Sequence, residues 1–413
     1  MRTAVLRVVC LVALGGCGED AAGSAAAADA GVRAQDASGG GGAASAPDAS
    51  TGTPGGRDDA QPDAELSAGG AGGGGMAGGS GGADEGRPPG PFDAAAGRSD
   101  ASEAPADAAP VEADAAPPVV GRDDPPPLPA YSGGECPRFT GGPTLDESLV
   151  TGFPSGGDAR SFRMIVPPNY DGSEPWPVMF AWHWLNASSS SFVNQGELES
   201  AAAEMRFLIV VPDDLENANG DKTYLLNWPF AEVWGAEKEL QFFDDLLACV
   251  DANFNVDARQ IHGVGVSAGA LWLSHLTSTP RADHLATAVS LSGGLGRDPF
   301  GVWDMMFASQ AHKFPAIVLW GGPTDNLVIV DFAAASARLR DALIDDGHFV
   351  VTCTHEAGHA VPPIDAPADG GTRFRFLWRF MAEHPYGTPA GTSPWQATGL
   401  PPEAPPWCAI ATP

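Results

Sequence analysis

From residue 131 onward, short apolar runs alternate with longer stretches whose apolar positions recur at helical spacing. The short runs are bounded by Gly, Pro and Asp and predict buried strands, whereas the three-to-four-residue recurrence predicts amphipathic helices. Strands are predicted at 161–166, 176–182, 207–211, 260–265, 288–291, 316–320 and 349–352. The first stops at Pro167-Pro168, the third at Pro212-Asp213, and the sixth runs into Gly321-Gly322. Helices are predicted over 237–252 and 332–346, with a closing helix over 374–382. Strands alternating with helices imply an α/β fold, with a mostly parallel central sheet and helices on both its faces.

The chain before this region has no such pattern. From Gly18 to about Pro129 it is Gly, Ala, Asp, Ser and Pro, in pieces such as GGAGGGGMAGGS and EAPADAAPVEADAAPP. So little apolar surface cannot offset the entropy of ordering a backbone, so residues 17–130 are expected to form a disordered tether. Its Gly-rich part is expected to be flexible and its Pro-rich end more extended. Residues 1–16 read as a secretory signal: Arg2 and Arg7, a short apolar run, then small residues. Leu14-Gly15-Gly16-Cys17 resembles a bacterial lipobox, which would make Cys17 the lipid anchor of an exported chain. Gly18 after the cysteine favours the outer membrane or the cell surface. Residues 131–413, about 283 residues, are enough for one large domain with its own core.

Charge removes some functions from consideration. The chain carries 52 acidic and 22 basic residues, a formal charge of -30. The stretch 18–124 holds 19 acidic and 5 basic residues, so the folded part is acidic too. Such a chain repels phosphate backbones, which argues against a nucleic-acid partner. No run of about 20 apolar residues is present to span a bilayer as a mature helix. Cys136, Cys249, Cys353 and Cys408 make an even set, read in an exported chain as two disulfides with three connectivities open. None has zinc-site spacing, so no metal is expected.

The chemistry gathers around one motif. Gly265-Val266-Ser267-Ala268-Gly269 fits G-x-S-x-G, in which a strand turns sharply into a helix and presents a strained serine. A β-type run precedes it and 270–276 continues as a helix, the context the motif requires. A nucleophilic serine needs a base, and the base an orienting acid. Asp325 lies just past a predicted strand end, where open sheets place ligand-facing loops, with Asp331 as its competitor. His359 sits in the loop Glu356-Ala357-Gly358-His359-Ala360-Val361-Pro362 after the last strand, and is preferred to His348, His355 and His384. The backbone N–H of Ala268 and that of Trp184, with Leu185 as its alternative, are the expected oxyanion donors. His183 is expected to lock that loop by a hydrogen bond. Trp228 and Trp234 are candidates for a substrate platform, or equally for core.

Residues 155 to 385 resemble the poly(3-hydroxybutyrate) depolymerase and feruloyl (acetylxylan) esterase group of α/β-hydrolases. The matching pieces include Arg160-Ser161-Phe162-Arg163, Val166-Pro167-Pro168-Asn169-Tyr170, Val211-Pro212-Asp213 and Glu239-Leu240-Gln241-Phe242. Val256-Asp257-Ala258-Arg259-Gln260-Ile261 leading to the Ser267 motif is the most specific stretch, and Gly358-His359-Ala360-Val361-Pro362 closes the set. The resemblance implies the α/β-hydrolase fold, a triad of Ser267, Asp325 and His359, an extracellular ester substrate and no cofactor. Departures are His183-Trp184, where many members have His-Gly, and Ala268-Gly269-Ala270, where Gly-Gly is commoner. The His-Trp form and Cys249 look like the feruloyl-esterase-like branch. The expectation is a monomeric secreted serine esterase, acting on feruloyl or acetyl esters of polysaccharide. A polyhydroxyalkanoate depolymerase comes second. A serine peptidase on the same fold and a non-catalytic surface binding protein are the remaining readings.

Overall fold

The computed structural model describes residues 124–139, 148–217, 219–224, 226–229, 235–297, 304–327 and 329–412. The expected signal segment, Cys17, the tether before Asp124 and Trp234 lie outside them. In chain order the main elements are β1 (Ser148–Ser155), β2 (Asp158–Ile165), β3 (Trp176–Trp182), α1 (Ser189–Gln195), α2 (Leu198–Met205) and β4 (Leu208–Pro212). There follow α3 (Ala236–Asn253), β5 (Val256–Val266), α4 (Ala268–Leu276), β6 (Thr287–Leu291) and β7 (Ala316–Trp320). Then come α5 (Phe332–Asp345), β8 (Val350–Thr354), α6 (Arg375–Glu383) and β9 (Cys408–Ile410).

These nine strands form one sheet in the order β1-β2-β4-β3-β5-β6-β7-β8-β9, and two short two-stranded ribbons lie outside it among the described residues. The pairs from β4–β3 to β7–β8 are parallel, and β1–β2, β2–β4 and β8–β9 are antiparallel. After β3 the chain moves to one side to make β4, then returns to the other side of β3 to make β5. This reversal opens a crevice at the carboxyl ends of β3 and β5, where open α/β sheets hold their ligands. It sets the end of β3, at Trp182, beside the end of β5, at Val266.

The apolar runs follow from burial on both faces. In β3, Val178, Phe180 and Trp182 enter the core under α3, α4 and α5, while Met179 and Ala181 face the core under α1, α2 and α6. In β4, Leu208 and Val210 go one way and Ile209 and Val211 the other. A strand covered on both sides shows no polar alternation, which is why these segments read as continuous apolar stretches. Sequence patterning missed β1, whose Gly152 and Pro154 suggest a loop, and β9, only three residues long. It also missed α1 and α2, two single-face helices of seven and eight residues.

The two disulfides are Cys136–Cys249 and Cys353–Cys408. The first ties the segment before β1 to α3. It works beside the buried Asp245 carboxylate, which accepts hydrogen bonds from Ser132 N–H, Ser132 Oγ, Ser155 Oγ and Gln241 Nε2. The second joins residues paired across β8 and β9, so the short edge strand is held covalently as well as by its ladder. Replacing Cys136 and Cys249 together by Ala is expected to cost about 2–5 kcal/mol, read by urea denaturation.

Buried histidines give the fold an acid limit. His262 on β5 is fully buried, bonded to Thr287 Oγ1 at 2.9 Å and to Gln260 Oε1 at 2.9 Å. Burial pushes its pKa down from 6.5 to about 3, with the nearby His384 adding to the shift. Because the folded value is the depressed one, this contribution is complete above 6.5 and is lost as pH falls from there toward about 3. Unfolding free energy is expected to decline across that window, and His262→Gln to reduce the slope, as measured by denaturant titration at several pH values.

Candidate active site

The β5-to-α4 turn is the structural centre of the site. Ser267 sits at φ 54 and ψ -116, outside the favoured regions for a residue with a side chain. Space imposes the glycines around it. A Cβ on Gly265 would lie 2.4 Å from the Gly269 carbonyl oxygen, and one on Gly269 would lie 2.2 Å from that of Trp182. The turn is pinned from the far side, where Ser267 N–H donates to the Leu291 carbonyl at 2.8 Å.

Three side chains from three loops form a continuous hydrogen-bonded chain. Ser267 Oγ lies 2.8 Å from His359 Nε2, and His359 Nδ1 lies 2.6 Å from Asp325 Oδ1. Asp325 is fully buried, and its other oxygen accepts from Ser292 Oγ and Gly321 N–H, each at 2.7 Å. Burial by itself would raise the carboxyl pKa. The hydrogen bonds from His359, Gly321 and Ser292 outweigh it and hold the group below the usual carboxylate range. The imidazole stacks on Phe332, with ring centres 4.3 Å apart, and Gly358 N–H donates to Gly321 O at 3.0 Å, tying the histidine loop to the aspartate loop.

The competing residues have other partners. Asp331 caps α5, accepting from Ala334 N–H at 2.9 Å. His348 Nδ1 bonds the Phe314 carbonyl, His355 Nδ1 accepts from Ala357 N–H, and His384 spans the Phe380 carbonyl and Ser393 Oγ. Sequence reasoning missed Ser292, the hydroxyl that occupies the second oxygen of Asp325. Its signal was a small polar residue at the carboxyl end of β6, the same crevice edge that supplied the other site residues.

The loop after β3 lies beside Ser267. Ala268 opens α4, so its N–H has no partner within the helix, as expected for the first donor of a helix. Trp184 and Leu185 both line the cavity next to Ser267. The His183 ring lies 2.9 Å from the Trp184 carbonyl through Nδ1, and its Nε2 lies 3.5 Å from the buried carboxylate of Asp214. Trp228 has a different place from a substrate platform. It is fully buried behind this loop and donates Nε1–H to the His183 carbonyl at 2.9 Å, while Asn227 Oδ1 accepts from Asn186 N–H at 3.0 Å. An indole is an apolar body with one donor, and here the donor fixes the loop while the rings fill core.

A cavity of about 660 Å³ opens beside Ser267 and His359. Its walls are mostly aliphatic and aromatic, and among the described residues no Asp, Glu, Lys or Arg lines it. A strained serine with a positioned base, against an uncharged cavity, is suited to acyl transfer from neutral carbonyl compounds. Among the described residues no cluster of His, Cys, Asp and Glu is arranged to hold a metal ion.

No protein-family model matches the chain. It is similar to feruloyl esterase D of Neurospora crassa, 23% identical over 154 residues that make up 37% of this chain and 51% of that protein. It is also similar to a probable feruloyl esterase C of Aspergillus terreus, 26% identical over 153 residues, 34% of this chain and 52% of that one. The chain thus spans about half the length of the curated relatives it matches. Among solved structures, a pOPH variant in complex with DMSO superposes with a TM-score of 0.51 at 18% identity, covering 67% of this chain and 97% of that one. That likeness is one of fold.

The two aspartates separate cleanly by experiment. Asp325→Asn is expected to slow the labelling of Ser267 by a fluorophosphonate by about 10³–10⁴-fold. Asp331→Ala is expected to leave the labelling rate unchanged and to cost about 1 kcal/mol of stability through the lost cap. Labelling kinetics beside thermal denaturation read both effects.

Proposed function

We propose that this chain, an α/β-hydrolase of the feruloyl esterase and depolymerase group, is a serine carboxylic ester hydrolase using Ser267, His359 and Asp325. The observation that carries this reading is the unbroken chain of hydrogen bonds from Ser267 Oγ through His359 to a buried Asp325, opening on an uncharged cavity. Ser267 Oγ attacks the ester carbonyl as His359 Nε2 takes its proton. The N–H groups of Ala268 and Trp184 hold the oxyanion. His359 returns the proton to the leaving alcohol, and water then repeats the sequence on the acyl-enzyme. Asp325 fixes the ring with Nδ1–H toward itself and stabilises the imidazolium. No cofactor enters these steps.

Feruloyl or acetyl esters of polysaccharide are the favoured substrates, supported by the likeness to two feruloyl esterases. A polyhydroxyalkanoate chain is the second reading, because Leu327 and Val361, both exposed, give the cavity an apolar rim. The same proposal has the enzyme exported and held at a membrane by a lipid on Cys17, with residues 17–130 as its tether. The two disulfides are in keeping with an oxidising compartment.

The test is hydrolysis of methyl ferulate and 4-nitrophenyl butyrate by the full chain and its Ser267→Ala variant. Turnover of both is expected, with kcat in the variant down by about 10⁴-fold or more. Butyrate turnover alone would keep the mechanism and discard the aromatic acid. Turnover of either ester that survives the substitution would remove Ser267 as nucleophile.

A further inference from the structure

Ser267 and Asp325 follow β5 and β7, which are not neighbours, because β6 runs between them in the sheet. Their side chains meet through His359, but their backbones are joined across the end of β6. The peptide unit between Leu291 and Ser292 makes that crossing. Its carbonyl accepts from Ser267 N–H at 2.8 Å on the β5 side, and its N–H donates to the Leu319 carbonyl at 2.7 Å on the β7 side. The Ser292 hydroxyl extends the link to the acid, donating to Asp325 Oδ2 at 2.7 Å. One peptide unit and one hydroxyl thus connect the nucleophile turn, the end of β7 and the buried carboxylate.

The backbone is bent to put the hydroxyl there. Ser292 is buried and has φ 50, in the left-handed region that a residue with a side chain rarely adopts. Such a conformation persists only where the surroundings over-determine it, and here the next two residues are clamped between α4 and α5. Gly293 O accepts from Ser336 Oγ at 3.0 Å, and Gly294 N–H donates to Ser274 Oγ at 3.3 Å. A Cβ on Gly294 would lie 2.2 Å from the Ala335 carbonyl oxygen, so this segment has no room to shift. The other donor on Asp325 Oδ2, Gly321 N–H, belongs to the turn of Asp325 itself. It orients the carboxylate within its own loop and carries no reference to Ser267. Of the titratable groups near Asp325, His359 bonds the other oxygen, and His355 has its pKa lowered by burial.

We infer that Ser292 is a positioning residue of the hydrolytic reaction, its hydroxyl holding Asp325 in register with Ser267 across the end of β6. A donor on the second carboxylate oxygen has two consequences. It fixes the rotation of the carboxylate, so that Oδ1 stays on His359 Nδ1. It also draws negative charge away from Oδ1, so that Asp325 pulls less strongly on the ring proton. The inference rests on the esterase reading for its chemistry and on the hydrogen bonds alone for its geometry.

The test compares Ser292→Ala and Ser292→Gly with the parent in the full chain, using 4-nitrophenyl butyrate. Both remove the hydroxyl, and glycine also accepts the positive φ without strain, so the turn still folds. Each is expected to lower kcat about ten- to a hundredfold with little change in KM, the size of a lost hydrogen bond to a charged group. The acid limb of kcat/KM, which titrates with the Asp325–His359 pair, is expected to move to higher pH. Loss of packing alone would not move it that way. In an Asp325→Asn background Ser292→Ala is expected to cost less than about twofold, because two residues acting through one network are not additive. Unchanged kcat and acid limb, a glycine variant as active as the parent, or an equal loss in the Asp325→Asn background would each overturn the inference. Failure of the esterase reading would appear separately, as parent turnover that is absent or that survives Ser267→Ala.

Discussion

Everything at this site depends on how closely the backbone of the Ser267 turn approaches the end of β3. Gly269 lies against the carbonyls of Trp182 and His183 so tightly that a single added carbon would sit 2.2 Å from the first of them. Gly265 is packed as closely against the start of α4. That contact brings the head of α4 beside the loop carrying Trp184. A serine held at φ 54 is a strained residue, and such strain persists only where the surroundings over-determine it. Here the surroundings are the β5 ladder on one side, the Leu291 carbonyl on another and the packed helix ahead.

Around that turn, each member of the hydrogen-bonded chain from Ser267 to Asp325 is held by further groups. Asp325 has two oxygens and at least three donors, and Ser292 and Gly321 take one oxygen so that the other faces His359. The loop after β3 leans on Trp228 and Asn227, which arrive from a segment some forty residues away in sequence. The histidine loop leaves β8, the strand that the Cys353–Cys408 bond and β9 close off at the sheet edge. Fixing these loops before a ligand arrives is how a scaffold places a reactive group without ordering it at the moment of reaction.

The cavity shows the same economy in reverse. Its inner wall uses residues that are ordinary core in other parts of the sheet, such as Val264, Leu291 and Leu319. The apolar layer under α6 is therefore both hydrophobic core and ligand wall. Among the described residues the cavity has no charged lining, so discrimination between neutral ligands falls to shape and to the few hydrogen-bonding groups that line it.

The sequence by itself determined the fold class and the serine of the hydrogen-bonded chain, and put forward Asp325 and His359 as the favoured candidates for its other two members. Apolar runs between Gly, Pro and Asp report burial on both faces, and G-x-S-x-G reports a steric requirement that is local to five residues. Strands at 176–182 and 316–320 were legible to the residue, because both are central and covered on each side. Asp325 and His359 were legible because both sit just beyond strand ends, with glycines beside them. Only the tertiary structure decided between Asp325 and Asp331 by contact, since one is buried against His359 and the other caps a helix. It alone paired the cysteines, gave Ser292 its place behind Asp325, and moved Trp228 from a candidate platform to a support. Those outcomes depend on which distant segments meet across the sheet, and local patterning carries no information about contacts made over forty or a hundred residues of chain.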